Sequence, residues 1–152
     1  MQVIKPESDN QIVFGKTKIF LAGSIEMGSA EDWQSKLEEL LIEDDVTIFN
    51  PRRVDWDSSW VQRMSNPQFN YQVNWELDRL EQADIIFMYF APDTKSPISL
   101  LELGAFGHKK MIVCCPDSFW RKGNVEIFCY KNYIPLFDHF DQATQKLFEL
   151  LK

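Results

Sequence analysis

The stretch A-D-I-I-F-M-Y-F (Ala83 to Phe90) is apolar at nearly every position. Such a run is too short for a lone buried helix and reads as a strand covered on both faces, as in a parallel sheet. It is followed by a polar loop, Ala91 to Lys95, and by Ser96-Pro97, serine at the N-cap and proline at the first helical position of a helix carrying Ile98 to His108. It is preceded by Gln68 to Gln82, a predicted helix with Val73, Leu77 and Leu80 on one side. The same alternation extends in both directions. Lys16 to Gly23 reads as a strand ending in a glycine turn, Ala30 to Ile42 as a helix capped by Ser29, with Trp33, Leu37, Leu40 and Leu41 inward, and Val46 to Phe49 as a second strand. Downstream, Met111 to Cys115 is a strand, Phe119 to Tyr130 a short helix, Tyr133 to Phe137 an edge strand and Gln142 to Leu151 the closing helix. Strands and helices in strict alternation predict an α/β domain, a doubly wound parallel sheet of five strands in flavodoxin-like order with helices on both faces. Residues 1–15 are expected to form an arm or an edge strand, and 16–152 the domain.

The composition bounds the partners. The chain has 152 residues, 45% hydrophobic and 26% charged, the proportions of one globular domain. With 16 Lys plus Arg against 23 Asp plus Glu, its formal charge of −7 argues against a nucleic-acid polymer or an anionic membrane surface, but not against a small nucleoside held in a pocket. Cys114 and Cys115 are adjacent on a predicted strand and should face opposite ways, so a disulfide framework is not expected. His108 and His139 are isolated and C-x-x-C is missing, which leaves no zinc motif. The polar N-terminus carries no signal-peptide pattern, and no apolar stretch is long enough to span a bilayer, so cytoplasmic residence is the expectation.

Sites in doubly wound sheets lie at the carboxyl ends of the strands. Those ends are Gly23-Ser24, Asn50 to Arg52, Ala91 to Lys95 and Pro116-Asp117. They carry no P-loop, no dinucleotide fingerprint and no G-x-S-x-G elbow, which leaves carboxylates, hydroxyls and aromatics to do any chemistry. Glu102 sits in the early part of the helix opened by Ser96-Pro97, where backbone N–H groups would keep it ionised and suited to attack on an anomeric carbon; a solvated helix glutamate is the plain alternative. Glu76 is a second carboxylate, three residues before Arg79, and a simple ion pair between them is its alternative. Trp56 and Trp60 could stack on a planar base or pack in the core. Arg52 could bind an anion or pair with Asp55 or Asp57, and Asn124, after Gly123, could be a turn residue.

Four segments, F-L-A-G-S-I (Phe20 to Ile25), W-E-L-D-R-L-E-Q-A-D-I-I-F (Trp75 to Phe87), S-P-I-S-L-L-E-L-G-A-F-G (Ser96 to Gly107) and R-K-G-N-V (Arg121 to Val125), together resemble the nucleoside 2-deoxyribosyltransferases and the related 2′-deoxynucleoside 5′-phosphate N-hydrolases. The resemblance implies cleavage at C1′ of a 2′-deoxynucleoside and transfer of the sugar to an acceptor nucleobase, with no cofactor and no metal. Glu102 stands at the family's nucleophile and Glu76 at the acid that orients it. The substrate-binding positions implied are Phe20, Gly23, Ser24, Ile25, Arg52, Trp56, Asp93, Ser96 and Asn124. Asn124 would reach across a homodimer or dimer-based oligomer into the neighbour's site. The alternatives are hydrolysis of a deoxynucleoside or its 5′-monophosphate, and a nucleotide sensor without turnover. Three departures stand out. Ser96 replaces an aspartate near the base, with Asp93 the closest acid; Glu26 stands where the hydrolases carry a phosphate-binding arginine; Phe20 replaces a tyrosine.

Overall fold

The computed structural model describes residues 1–152, the side chain of Met27 excepted. Six strands form one sheet: β1 (Gln2–Ile4), β2 (Thr17–Gly23), β3 (Val46–Phe49), β4 (Ile85–Tyr89), β5 (Met111–Cys114) and β6 (Leu136–Phe137). Their order is β1-β3-β2-β4-β5-β6, and every pairing is parallel. Without β1 this is the flavodoxin-like order the alternation predicts. The sixth strand comes from the N-terminal residues, where Gln2 to Ile4 pair with Thr47 to Phe49. Five helices connect the strands: α1 (Trp33–Leu40), α2 (Pro67–Gln82), α3 (Pro97–Phe106), α4 (Lys122–Lys131) and α5 (Phe140–Leu151).

Alternation along the strands splits the core into two layers. Phe20, Ile86, Met88 and Val113 face α2, α3 and α4, meeting Trp75, Leu103 and Val125. Ile19, Ile48, Phe87 and Ile112 face α1 and α5, meeting Trp33, Leu37 and Leu147. Cys114 and Cys115 point to opposite layers, as their adjacency predicts. All three cysteines are free and buried, and burial pushes the thiols of Cys114 and Cys115 up to about 12 and that of Cys129 up to about 11.

Several local expectations are corrected. Helix α1 starts at Trp33 and is capped by Asp32, whose Oδ1 accepts from the Ser35 N–H at 3.1 Å. Ser29 instead closes a 3-10 turn at Glu26–Gly28, its hydroxyl donating to the Glu26 carbonyl at 2.6 Å. The inward face of α2 carries Gln72, Trp75, Arg79 and Leu80, and Leu77 is exposed, as is Leu40 on α1. The segment R-K-G-N-V opens α4, with Gly123 inside the helix. Ser96 precedes Pro97 as expected, but in a left-handed conformation (φ 44°) with its hydroxyl turned away from the helix.

The N-terminal segment returns from β1 to β2 across α2, and a buried ion pair holds it there. Arg79 Nε donates to Asp9 Oδ2 at 3.0 Å, Trp75 Nε1 donates to the same oxygen at 2.7 Å, and the Arg79 and Asp9 side chains are 7% and 3% exposed. Burial opposes the Asp9 charge, yet the hydrogen bonds from Arg79, Gln11 and Trp75 hold its carboxyl below the usual range. Arg79 is thus committed to Asp9, and the ion pair with Glu76 that the spacing allowed does not form. Removing one partner of a buried pair strands the other charge. Asp9→Ala is expected to cost roughly 3–5 kcal/mol in urea denaturation; a loss below about 1 kcal/mol would show that solvent reaches the pair.

Candidate active site

The carboxyl end of β2 carries Gly23 at φ 135°, where a Cβ would lie 2.1 Å from the Tyr89 carbonyl oxygen. Only glycine lets β2 run this close to β4 before turning. Next comes buried Ser24, whose Oγ lies 2.6 Å from Ser96 Oγ and 2.9 Å from Thr94 Oγ1, and accepts from the Ala91 N–H at 2.8 Å. These hydroxyls tie the end of β2, the loop after β4 and the head of α3 into one network. Glu26 Oε1 accepts from the Ser96 N–H at 2.9 Å, so the protein's own carboxylate occupies the electropositive head of α3.

Helix α3 is inverted. Its sequence P-I-S-L-L-E-L-G-A-F holds one charged residue, Glu102, and that residue is only 7% exposed, whereas Ile98 and Leu101 are 58% and 66% exposed. Ser99, Glu102, Leu103 and Phe106 make the inward face, spaced as one helical stripe. Glu102 lies in the second turn, too deep for the helix head to stabilise its charge. Burial pushes its carboxyl well above the usual range, and the charge of nearby Glu76 adds to the shift. Burial thus works against the ionised carboxylate that the sequence leads one to expect.

Glu76 approaches from α2. Burial raises it to about 7, against the pull of a 2.7 Å hydrogen bond from Gln72 Nε2. Two coupled carboxyls in one low-dielectric spot resist holding two negative charges, so protons leave the pair in separated steps. Gln72 also donates to the Pro51 carbonyl at 3.2 Å, and its Oε1 accepts from Arg53 Nη1 at 3.2 Å. Arg53 pairs with Asp55 at 2.9 Å and lies over the Trp60 ring, 5.2 Å from its centroid.

The remaining candidates divide. Gly23, Ser24 and Ser96 meet around the hydroxyl network, and Ile25 follows it, its carbonyl accepting from Gly28 and Ala30. Phe20 is wholly buried in the core with its ring 6.3 Å from Trp75. Arg52 takes a structural part: its guanidinium donates to the Gly28, Ala30 and Glu31 carbonyls, fastening the turn after β2 to the loop after β3. It pairs with neither Asp55 nor Asp57. Trp56 meets Trp60 in a tilted contact, ring centroids 5.1 Å apart, outside both core layers, and its buried Nε1 has no partner among the described residues. Asp93 and Asn124 are exposed, Asp93 in the loop after β4 and Asn124 in the first turn of α4. Gln72 and Thr94 were not read from the sequence; the signal for Gln72 is its place one helical turn before Glu76. Two cavities, of about 410 and 360 Å³, lie beside Lys110 and Lys131 and beside Asp9 and Arg79, and neither is lined by Glu76 or Glu102. The carboxyl pair is the stronger candidate because burying acids has a cost that a surface hollow does not. Among the described residues no cluster of three or more His, Cys, Asp or Glu could hold a metal ion, and no helix is long and apolar enough to cross a membrane.

The pair makes stability depend on pH. Between pH 4.5 and about 7 the unfolded chain releases the Glu76 proton while the folded protein retains it, so stability falls as pH rises through that window. Glu76→Gln is expected to be nearly neutral at pH 4 and to raise stability at pH 8 by up to about 3 kcal/mol. Denaturant titrations at both values check this; a variant equally destabilised at each would contradict the raised value.

Comparison with known proteins gives the family. Residues 16–119 match the family model described as nucleoside 2-deoxyribosyltransferase like. The match includes Glu76, Ser96 and Glu102 and stops before Asn124. A solved structure, that of a conserved protein from Enterococcus faecalis V583, is 14% identical over 89% of this chain and 87% of that chain, with a TM-score of 0.49. No curated protein matches. With well over half of its length matched by the family model, the chain belongs to the nucleoside 2-deoxyribosyltransferase-like family.

Proposed function

We propose that this protein cleaves the N-glycosidic bond of 2′-deoxynucleosides and transfers the deoxyribosyl group to an acceptor nucleobase through an ester on Glu102. The observation that carries this reading is buried Glu102 beside half-buried Glu76 at the carboxyl edge of the sheet in a chain of this family. As the C1′–N bond lengthens, the electron pair leaves with the base and positive charge gathers on the sugar ring. An enclosed carboxylate stabilises that charge far better than an exposed one would. The proton of the carboxyl pair passes to the departing base, and the Glu102 oxygen it leaves then closes the bond to C1′. In the second half the nitrogen of another base attacks C1′ from the side the first base left, its proton returns to the carboxyl pair and Glu102 departs, so configuration is retained. Glu76 orients Glu102 and shares the burden of charge. Water in place of the second base gives hydrolysis by the same route.

Glu26 favours nucleosides over 5′-monophosphates as substrates. The head of α3, where backbone N–H groups would welcome a phosphate, already faces the Glu26 carboxylate. The active unit in this reading is a homodimer. Ile98 and Leu101 on α3, Trp120 and Ile127 before and along α4, and Asn124 are all exposed, which supports a second copy covering them and taking Asn124 into its sugar site.

The test is incubation with each deoxynucleoside, with and without a second base, followed by product chromatography. New deoxynucleosides are expected only when the second base is present; free deoxyribose without exchange would favour hydrolysis, and no base release from any deoxynucleoside would favour a sensor. Glu102→Ala should lower the rate roughly 10³-fold or more, and Glu76→Gln by less. Deoxynucleosides should outperform their 5′-monophosphates, with Glu26→Gln narrowing the gap; monophosphate preference in the parent protein would reverse the role given to Glu26. Mixing Glu102→Ala with Asn124→Ala under subunit exchange should restore activity above either alone, and no recovery would return Asn124 to its own subunit.

A further inference from the structure

We propose that Gln72 is the positioning residue for Glu76 and that, through Gln72, the long connection from Asn50 to Asn66 controls how Glu76 is held. The inference rests on the reading of Glu76 as part of the active site. Its support is the bonding of one buried amide. Gln72 is only 2% exposed, and its side chain joins three groups: Arg53 Nη1 at 3.2 Å, the Pro51 carbonyl at 3.2 Å and Glu76 Oε1 at 2.7 Å. The orientation of the amide follows from chemistry. A guanidinium only donates, so Oε1 must face Arg53; a carbonyl and a carboxylate oxygen accept, so the NH₂ must face Pro51 and Glu76. Reversing the amide would break all three bonds.

Among the described residues no other side chain donates a hydrogen bond to Glu76. Arg79, the nearest cation along α2, is taken by Asp9 and Gln82, and Glu102 approaching from α3 carries the same charge as Glu76. Glu76 therefore depends on a donor that is itself aimed by Arg53. Arg53 in turn belongs to the loop: Asp55 holds it through two oxygens at 2.9 and 3.2 Å, and its guanidinium rests on Trp60, which meets Trp56. If this loop moves, Arg53 moves, the amide loses its orienting partner and Glu76 loses its donor. A substrate that settles the Trp56–Trp60 segment thereby sets the carboxyl as well.

Gln72→Met keeps the length and most of the volume of the side chain but removes its polar atoms. Two readouts are compared with the parent protein. The first is the titration of Glu76, followed by carbon-13 carboxyl resonances assigned with Glu76→Gln; losing a hydrogen bond to the ionised form should move the midpoint up by about one unit. The second is the pH–rate profile for deoxynucleoside cleavage, whose Glu76 limb should move the same way, with kcat down roughly 10- to 100-fold and KM little changed. Arg53→Met should shift the titration in the same direction by less, and Arg53→Lys, which retains a donor, should restore most of the rate. An unmoved titration in Gln72→Met overturns the proposal, even if the rate falls. Should Gln72→Met not fold, the Arg53 pair decides by the same criterion. The titration requires no substrate, so a shifted midpoint in a protein inactive on every deoxynucleoside would refute the proposed activity while sustaining the link from Gln72 to Glu76.

Discussion

The burial of Glu102 on the inward face of α3 is the constraint around which the molecule is arranged. An apolar helix with one carboxyl would normally turn that carboxyl to water. Here the reverse orientation exposes Ile98 and Leu101 and encloses the acid. Such an arrangement survives because other contacts over-determine it. Leu103 and Phe106 anchor the same stripe in the core, the Ser24–Thr94–Ser96 hydroxyls hold the head of the helix to β2, and Gly23 permits the close strand approach that puts those hydroxyls in reach. A destabilised group maintained by stable surroundings is the usual form of a prepared reaction centre.

Helix α2 serves two purposes on one face. Trp75 and Arg79 are spent on Asp9, which secures the N-terminal crossover; Gln72 and Glu76 face the carboxyl edge of the sheet. The two networks sit a single turn apart but share no hydrogen bond among the described residues. This separation explains how a cation can lie so near Glu76 without quenching it: Arg79 is sequestered by a partner of its own.

The sheet was legible because its inner strands are unbroken apolar runs and its connections alternate. Strand β1 was ambiguous for a physical reason, since three residues carry too little pattern to separate an arm from an edge strand. Leu77 was misplaced because a buried polar network, invisible to a hydrophobic period, turned α2 by part of a turn. Glu102 stood out as the lone charge in an apolar helix, but its ionisation depends on depth and on Glu76, and neither is written in the local sequence. Arg52 and Arg53 are neighbours in the chain with opposite fates; carbonyl oxygens capture one and a side-chain amide the other. Ser29 is the cap the sequence suggests, but the turn at Glu26–Gly28 engages it and Asp32 caps α1 in its place.

The three cysteines lend the molecule a further property. Each is enclosed, and each thiol is held in its protonated, unreactive form by its apolar surroundings. Cys114 and Cys115 look into opposite layers of the core, and Cys129 sits on the inward face of α4 in the same layer as Cys115. Modification by an aqueous alkylating reagent therefore requires that a layer open, and the sites between them report on both layers. Reaction at Cys114 alone would register loosening beneath α1 and α5, and reaction at Cys115 or Cys129 loosening on the side that bears the carboxyl pair. The native chain thus contains its own spatially resolved clock of local unfolding, without an introduced probe.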